Sequence, residues 1–230
     1  MIVEFRKRRQ EWGFKRALYW QLMNLMRRVF GLRLYYVLVE SNVREIVGEQ
    51  QPQVPEGIVT RIVDIAELFP FAGKVADLDR EFLETVRARG DVGIANFRQD
   101  ELLGFAFVSF TRARASAQLD VLVPKGFQYV YKGWTHPDYR RTNLAAARVY
   151  LRHGLLRENH AQRGISYVET HNYVSLLHGY RHPRERSLLM GFCGWITVFG
   201  REIPFNSRHA RWVGFEMVRQ GDPGLRQYVR

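Results

Sequence analysis

Cysteine is almost absent: Cys193 is the only one in 230 residues. No disulfide framework and no cysteine metal cluster can be built from it, so the chain suits a reducing compartment. A lone thiol of this kind reads as a small buried hydrophobe rather than a nucleophile. The seven histidines are scattered, and His178 with His182, four residues apart, lacks the glutamate of a zinc-hydrolase helix, so no metal is expected. Long apolar runs are missing too. The best candidate, residues 12–30, is interrupted by Gln21 and Asn24 and closed by Arg27 and Arg28, well short of the ~20 residues that cross a bilayer. Arginine on both sides of that run, with no small-residue cleavage site after it, excludes a secretory signal. Internal repeats and low-complexity tracts are also lacking.

Acidic residues are scarce: 23 Asp and Glu face 35 Lys and Arg, for a net charge of +12. The excess is uneven. Residues 1–33 hold nine cations against Glu4 and Glu11, which accounts for +7 of the total. Such a surface suits a polyanionic cofactor, an acidic protein, anionic lipid or nucleic acid, and no RNA- or DNA-reading motif favours the last. At helical spacing, Phe14, Leu18, Leu22, Leu25, Met26 and Val29 gather on one side of residues 12–30, opposite Arg16, Asn24 and Arg27. This basic amphipathic helix either lies on an anionic membrane or packs on the protein's own sheet; the packed arrangement is the expectation, with Leu18, Leu22, Leu25 and Val29 as core.

An apolar content of 46% in 230 residues can fill a full core. We read residues 1–48 as a basic helix and strand (Leu32 to Val39) packed on the domain, 49–56 as a proline-bearing connector, and 57–220 as the main domain. Strands are expected at 57–62, 92–97, 102–110, 119–123, 126–134, 164–170, 195–199 and 212–218, with a polar loop containing Pro204 between the last two. Helices are expected at 64–69, stopped by Pro70, at 77–89, and at 144–156, where residues 144, 147, 151 and 155 share a face. The fold class is therefore α/β, with a mixed sheet of six to seven strands flanked by helices.

The stretch from Tyr131 to Ala147 carries the most chemistry. A strand runs into the turn Arg140-Arg141-Thr142-Asn143-Leu144-Ala145 and then into a helix, whose first N–H groups lack intrahelical partners and attract anions. Gly133, inside an otherwise bulky strand, suggests a bulge or a close ligand approach. Glu169 and His171 fall on one face of a strand end by period-two spacing, where a carboxylate or imidazole could take a proton.

The 140–145 turn resembles the Arg/Gln-x-x-Gly-x-Gly/Ala signature of the GNAT superfamily of acyl-CoA N-acyltransferases. Asn143 stands in place of the usual glycine, and asparagine is the residue after glycine most at home at positive φ. Asn172 and Ser175, with Gly191-Phe192 later, resemble that family's second motif, with residues 180–187 as an insertion. The resemblance implies an acyl group passed from a CoA-type or acyl-carrier-protein thioester directly to an amine, without metal. It implies backbone donors at Gly133, Trp134 and Thr135 near the thioester, and the 140–145 turn with Asn172 and Ser175 around the cofactor. Glu169, His171 and Tyr180 are the proton-transfer candidates. Many members place a tyrosine seven residues after the asparagine; here 179 is Gly and Tyr180 follows. The rival expectation is a GNAT-like binding protein without catalysis, its basic surface holding nucleic acid or anionic lipid. Location is expected to be cytoplasmic, or peripheral at the inner membrane surface through residues 1–33.

Overall fold

The computed structural model describes residues 2–40, 52–75, 78–159, 161–173, 175–176 and 187–223. Two helices, α1 (Ile2–Trp12) and α2 (Phe14–Phe30), precede strand β1 (Arg33–Glu40). After the connector come β2 (Ile58–Val63), a 3-10 turn at Ile65–Phe71, α3 (Arg80–Ala88), β3 (Val92–Arg98), β4 (Glu101–Ser109), β5 (Arg112–Arg114) and β6 (Leu119–Leu122). Then follow β7 (Phe127–Thr135), a 3-10 turn at Pro137–Tyr139, α4 (Leu144–Glu158), β8 (Arg163–Glu169), β9 (Ser187–Val198), β10 (Arg201–Asn206), α5 (Arg208–Trp212) and β11 (Glu216–Arg219). The described residues form an eight-stranded mixed sheet ordered β10-β9-β1-β8-β7-β4-β3-β2 and a small sheet ordered β11-β6-β5.

Two differences from the expected strands have simple causes. The polar loop around Pro204 is strand β10, paired with β9 from Arg201↔Val198 to Asn206↔Cys193. It is an edge strand, and there a proline lacks no ladder donor that the sheet needs. The stretch 212–218 is split, since Ser207 caps α5 by accepting from the Ala210 N–H, and only 216–219 is strand. Pro70 does not stop its helix either; a 3-10 turn capped by the reciprocal Asp64 and Glu67 contacts carries it to Phe71.

Helices lie on both faces. On one, Phe82, Leu83 and Val86 of α3 meet Phe105, Phe107 and Tyr131, with Phe82 edge-on to Phe107 at 5.1 Å between centroids. On the other, Leu144 and Leu155 of α4 meet Ile58, Leu103, Ile94 and Val108. Strand β1 is interior, antiparallel to β8 and β9 on its two sides, so the N-terminal segment and the rest share one sheet.

Helix α2 packs by the face opposite to the expected one. Ala17 and Met23 are buried, while Leu18, Leu22, Leu25 and Val29 are about half exposed. The small Ala17 lets the helix approach, Tyr19 donates to Thr170 at 2.8 Å, and the helix ends at Gly31 in the left-handed region. A side chain at Gly31 would strike Thr197, so glycine is required there for close approach as well as for φ.

Phe107→Ala should lose about 3–5 kcal/mol of unfolding free energy in urea titration, since it empties a fully buried aromatic contact; a loss below about 1 kcal/mol would mean the cluster is not the core.

Candidate functional site

Strands β7 and β8, the parallel pair at the centre, are in register for only Phe127↔Arg163, Gln128↔Gly164 and Tyr129↔Ile165. Beyond Tyr129, β7 continues along β4 to Thr135 while β8 continues along β1 to Glu169. A wedge opens between them. The β4–β7 register shifts inside it, since Phe105 faces Trp134 but Phe107 faces Tyr131, so Lys132 and Gly133 together oppose Ala106. This is a bulge, with Lys132 at φ 50, and it removes a backbone group from the ladder. A side chain on Gly133 would meet nothing within 4 Å, so the backbone there borders open space.

The turn after β7 winds back through the left-handed region twice, at Arg141 (φ 71) and Asn143 (φ 63). The Asn143 carbonyl accepts the Ala147 N–H at 2.9 Å, which starts α4, and its side-chain amide donates to the Gln53 carbonyl at 3.2 Å. Thr142 Oγ1 donates to the Tyr139 carbonyl at 2.5 Å. Arg140 and Arg141 are exposed, and neither has an ion-pair partner among the described residues. Successive N–H groups next to left-handed residues at a helix start form an anion-binding concavity.

No family model and no curated protein sequence matches the chain. Among solved structures it is similar to a Drosophila protein from a structural genomics programme, at 12% identity and TM-score 0.54, over 82% of this chain and 58% of that one. It is also similar to a tandem GNAT protein from the clavulanic acid biosynthesis pathway, at 11% identity and TM-score 0.47, over 83% of this chain and 55% of that one. A third is an aminoglycoside acetyltransferase from an uncultured soil sample, at 9% identity and TM-score 0.44, over 60% and 95%. The chain shares its mixed α/β fold with the Drosophila protein. It spans a little over half the length of the first and second of these structures.

Within this fold, Arg148 is a buried cation beside the candidate site that the sequence reading missed. It is buried on α4 and donates to Asn96 Oδ1 and, at 2.8 Å, to Thr135 Oγ1. Asn96 in turn donates to Thr60 and to the Leu144 carbonyl. This network ties the end of β7 to the first turn of α4, so Thr135 and Leu144 are held together from beneath. Burial lowers the Arg148 pKa to about 10, and the guanidinium stays charged at neutral pH, in reach of the helix start. Period alone would find it: Arg148 falls one residue past Ala147 on the buried face.

The expected residues divide into two groups. Gly133, Trp134 and Thr135 sit on β7 and the 140–145 turn follows, with the Leu144 side chain buried against Ile58 and Leu103 so that only its backbone can meet a ligand. Trp134 stacks on Phe105 at 5.7 Å and borders a cleft of about 660 Å³ lined by Phe71, Lys74, Val75, Arg98 and His136. His136 is structural, its Nδ1 accepting the Asp138 N–H at 3.3 Å. The second group is at the end of β8. Glu169 lies 3.2 Å from Arg33 Nη1, 3.9 Å from Arg27 Nη1 and 3.6 Å from His171 Nε2. Asn172 caps the next turn, its Oδ1 accepting the Ser175 N–H at 3.2 Å. Among the described residues, no hydrogen bond or ion pair joins this group to the 133–145 segment. Tyr180 lies outside the described residues.

Burial holds the His171 imidazole below its ordinary pKa, against the pull of Glu169, and Arg27 and Arg33 push the same way as burial. Its Nδ1 is buried without a partner. Cys193 is fully buried and its thiol is pushed well up, which makes it inert. Tyr167, in the wedge, is pushed up to about 12 by burial and stays protonated. No cluster of three or more metal-ligating side chains occurs among the described residues.

Asn143→Val should destabilise the protein by about 1–2 kcal/mol in thermal or urea unfolding, because a β-branched residue is strained at positive φ, whereas Asn143→Gly should cost nothing measurable. Equal effects of the two would remove the turn's left-handed geometry as the reason for asparagine.

Proposed function

We propose that the protein is an N-acyltransferase that moves an acyl group from a CoA-type thioester, free or on an acyl-carrier protein, to an amine. The carrying observation is the wedge: a bulged strand that ends its pairing beside the active gap and runs straight into a doubly left-handed turn at a helix start. The turn's N–H groups and the exposed Arg140 and Arg141 suit a pyrophosphate, and the open space at Gly133 admits an extended thiol arm. Bound, the donor supplies an activated acyl carbon; the bulge backbone at Gly133 to Thr135 polarises its carbonyl.

His171 is the base. Held neutral by burial, it takes a proton from the acceptor's ammonium directly or through one water and so frees the amine lone pair, while Glu169, anchored by Arg33 and Arg27, lies 3.6 Å from its Nε2. The freed amine nitrogen bonds to the acyl carbon and gives up a second proton, the C–S bond breaks, and that proton passes to the departing thiolate, for which Tyr180 is the candidate relay. The cleft beside Trp134 receives the acceptor. The rival reading, a GNAT-like binding protein without catalysis, has the asparagine at 143 in its favour. Release of free thiol from acetyl-, octanoyl- and palmitoyl-CoA over a pool of amines separates the two: none with any donor would sink the enzyme reading.

Replacing Arg140 and Arg141 together by alanine should weaken CoA binding by about tenfold or more in calorimetry, since charge-assisted phosphate contacts contribute about 1.5–3 kcal/mol each. Asn143→Gly should bind CoA as well or better.

Because its folded pKa is depressed, His171 favours the folded state above the unfolded value of about 6.5, and that contribution is lost as pH falls through the lower folded value. The acid limb of kcat/KM should accordingly have its midpoint below about 6.5, and His171→Gln should remove that limb. A limb unchanged in the variant would assign the base elsewhere.

A further inference from the structure

Helix α2 is amphipathic in the wrong direction for a helix that serves only its own domain. At 3.6 residues per turn, Phe14, Leu18, Leu22, Leu25 and Val29 fall within about 80° of its circumference. They are exposed by 55%, 50%, 49%, 55% and 61%. The buried Ala17 and Met23 lie on the far side, so the largest apolar stripe of the helix points away from the protein. Lys15 and Arg28 border the stripe, both exposed, and α1 adds Arg6, Lys7 and Arg9 in the same basic segment. The patch continues onto the sheet edge. Gly31 at the end of α2 abuts Thr197, and next to that contact the β9–β10 hairpin carries Val198, 37% exposed, and Phe199, 102% exposed at its tip.

We propose that this face inserts shallowly into an anionic lipid surface. An apolar stripe bordered by cations is satisfied on both counts there, the side chains entering the acyl boundary and the ammonium and guanidinium groups meeting phosphate headgroups. No helix among the described residues is long and apolar enough to cross a membrane, so the contact is peripheral. A second copy of the chain fits less well, because residues 1–33 carry +7 and pairing this face with itself sets like charges together. The proposal does not depend on acyl transfer.

The test is co-sedimentation of the intact chain with vesicles of phosphatidylcholine alone and of phosphatidylcholine with phosphatidylglycerol. Binding should favour the anionic vesicles by about tenfold or more, and raising salt about tenfold, from about 0.05 to about 0.5 M, should release most of the protein. Leu18→Gln/Leu22→Gln/Leu25→Gln should abolish binding with an unchanged circular-dichroism melt, since none of the three is core. Should that variant misfold, Lys15→Gln/Arg28→Gln serves instead and should lower anionic binding severalfold. Equal binding to both vesicle types, no binding to either, or unaltered binding by the variants would overturn the proposal. So would a dimer in light scattering that the triple variant disperses and vesicles fail to compete away.

Discussion

The structure turns on a ladder that is abandoned. Two parallel central strands share three residues of register and then part, and their inward backbone groups must find other neighbours or go without. Strand β4 holds the outer edge of β7 and β1 the outer edge of β8, so the sheet stays continuous on both sides of a gap that the two inner edges border. The bulge at Lys132–Gly133 sharpens the departure, and the turn at 140–143 reverses the chain within a few residues because two of its positions accept positive φ. Each of these local irregularities would be a defect in a plain sheet. Together they bring a strand's free backbone and a helix's unpaired N–H groups to one end of the wedge.

Buried charge holds that arrangement in place. Arg148 crosses from α4 to Thr135 and Asn96, and Arg152, one turn on, meets Glu40 of β1 at 2.6 Å. A guanidinium is costly to bury, and one left unmatched would destabilise the helix more than a leucine in its place would support it. Arg148 is met by two neutral acceptors and Arg152 by the Glu40 carboxylate, though Arg152 Nε is buried without a hydrogen-bond partner, and α4 is oriented by these contacts as well as by Leu144 and Leu155. At the other end of the wedge, Arg27 of α2 and Arg33 at the start of β1 gather on Glu169. The N-terminal segment therefore takes part in the proposed proton-transfer group.

Much of this was legible in the residues. The strand, turn and helix from 127 to 158, the bulge signalled by Gly133 and the positive φ expected of Asn143 follow from local rules, and local rules suffice where the signal spans a few residues. What escaped was set by distance along the chain. Period-3.6 reading groups Leu18, Leu22, Leu25 and Val29 as a core face, but it cannot say which face meets the sheet when Ala17 offers a closer approach. The charge hub at Glu169 joins residues 27, 33, 169 and 171, and no spacing rule connects them. Strand β10 hid behind Pro204, since a proline argues against a strand until the strand is known to be an edge.

The interior position of β1 bears on how the chain is made. This strand is made well before its two neighbours, residues 163–169 and 187–198. Its apolar side chains wait for more than a hundred residues of synthesis before either ladder can close, and pairing across such sequence separation is slow. The β2–β3–β4 meander can assemble meanwhile from local contacts. A nascent chain stalled between the two events would present an unpaired strand, and such edges recruit other chains. Assembly is accordingly expected to be most vulnerable between synthesis of the meander and synthesis of residues 163–198, while the centre of the sheet is still open.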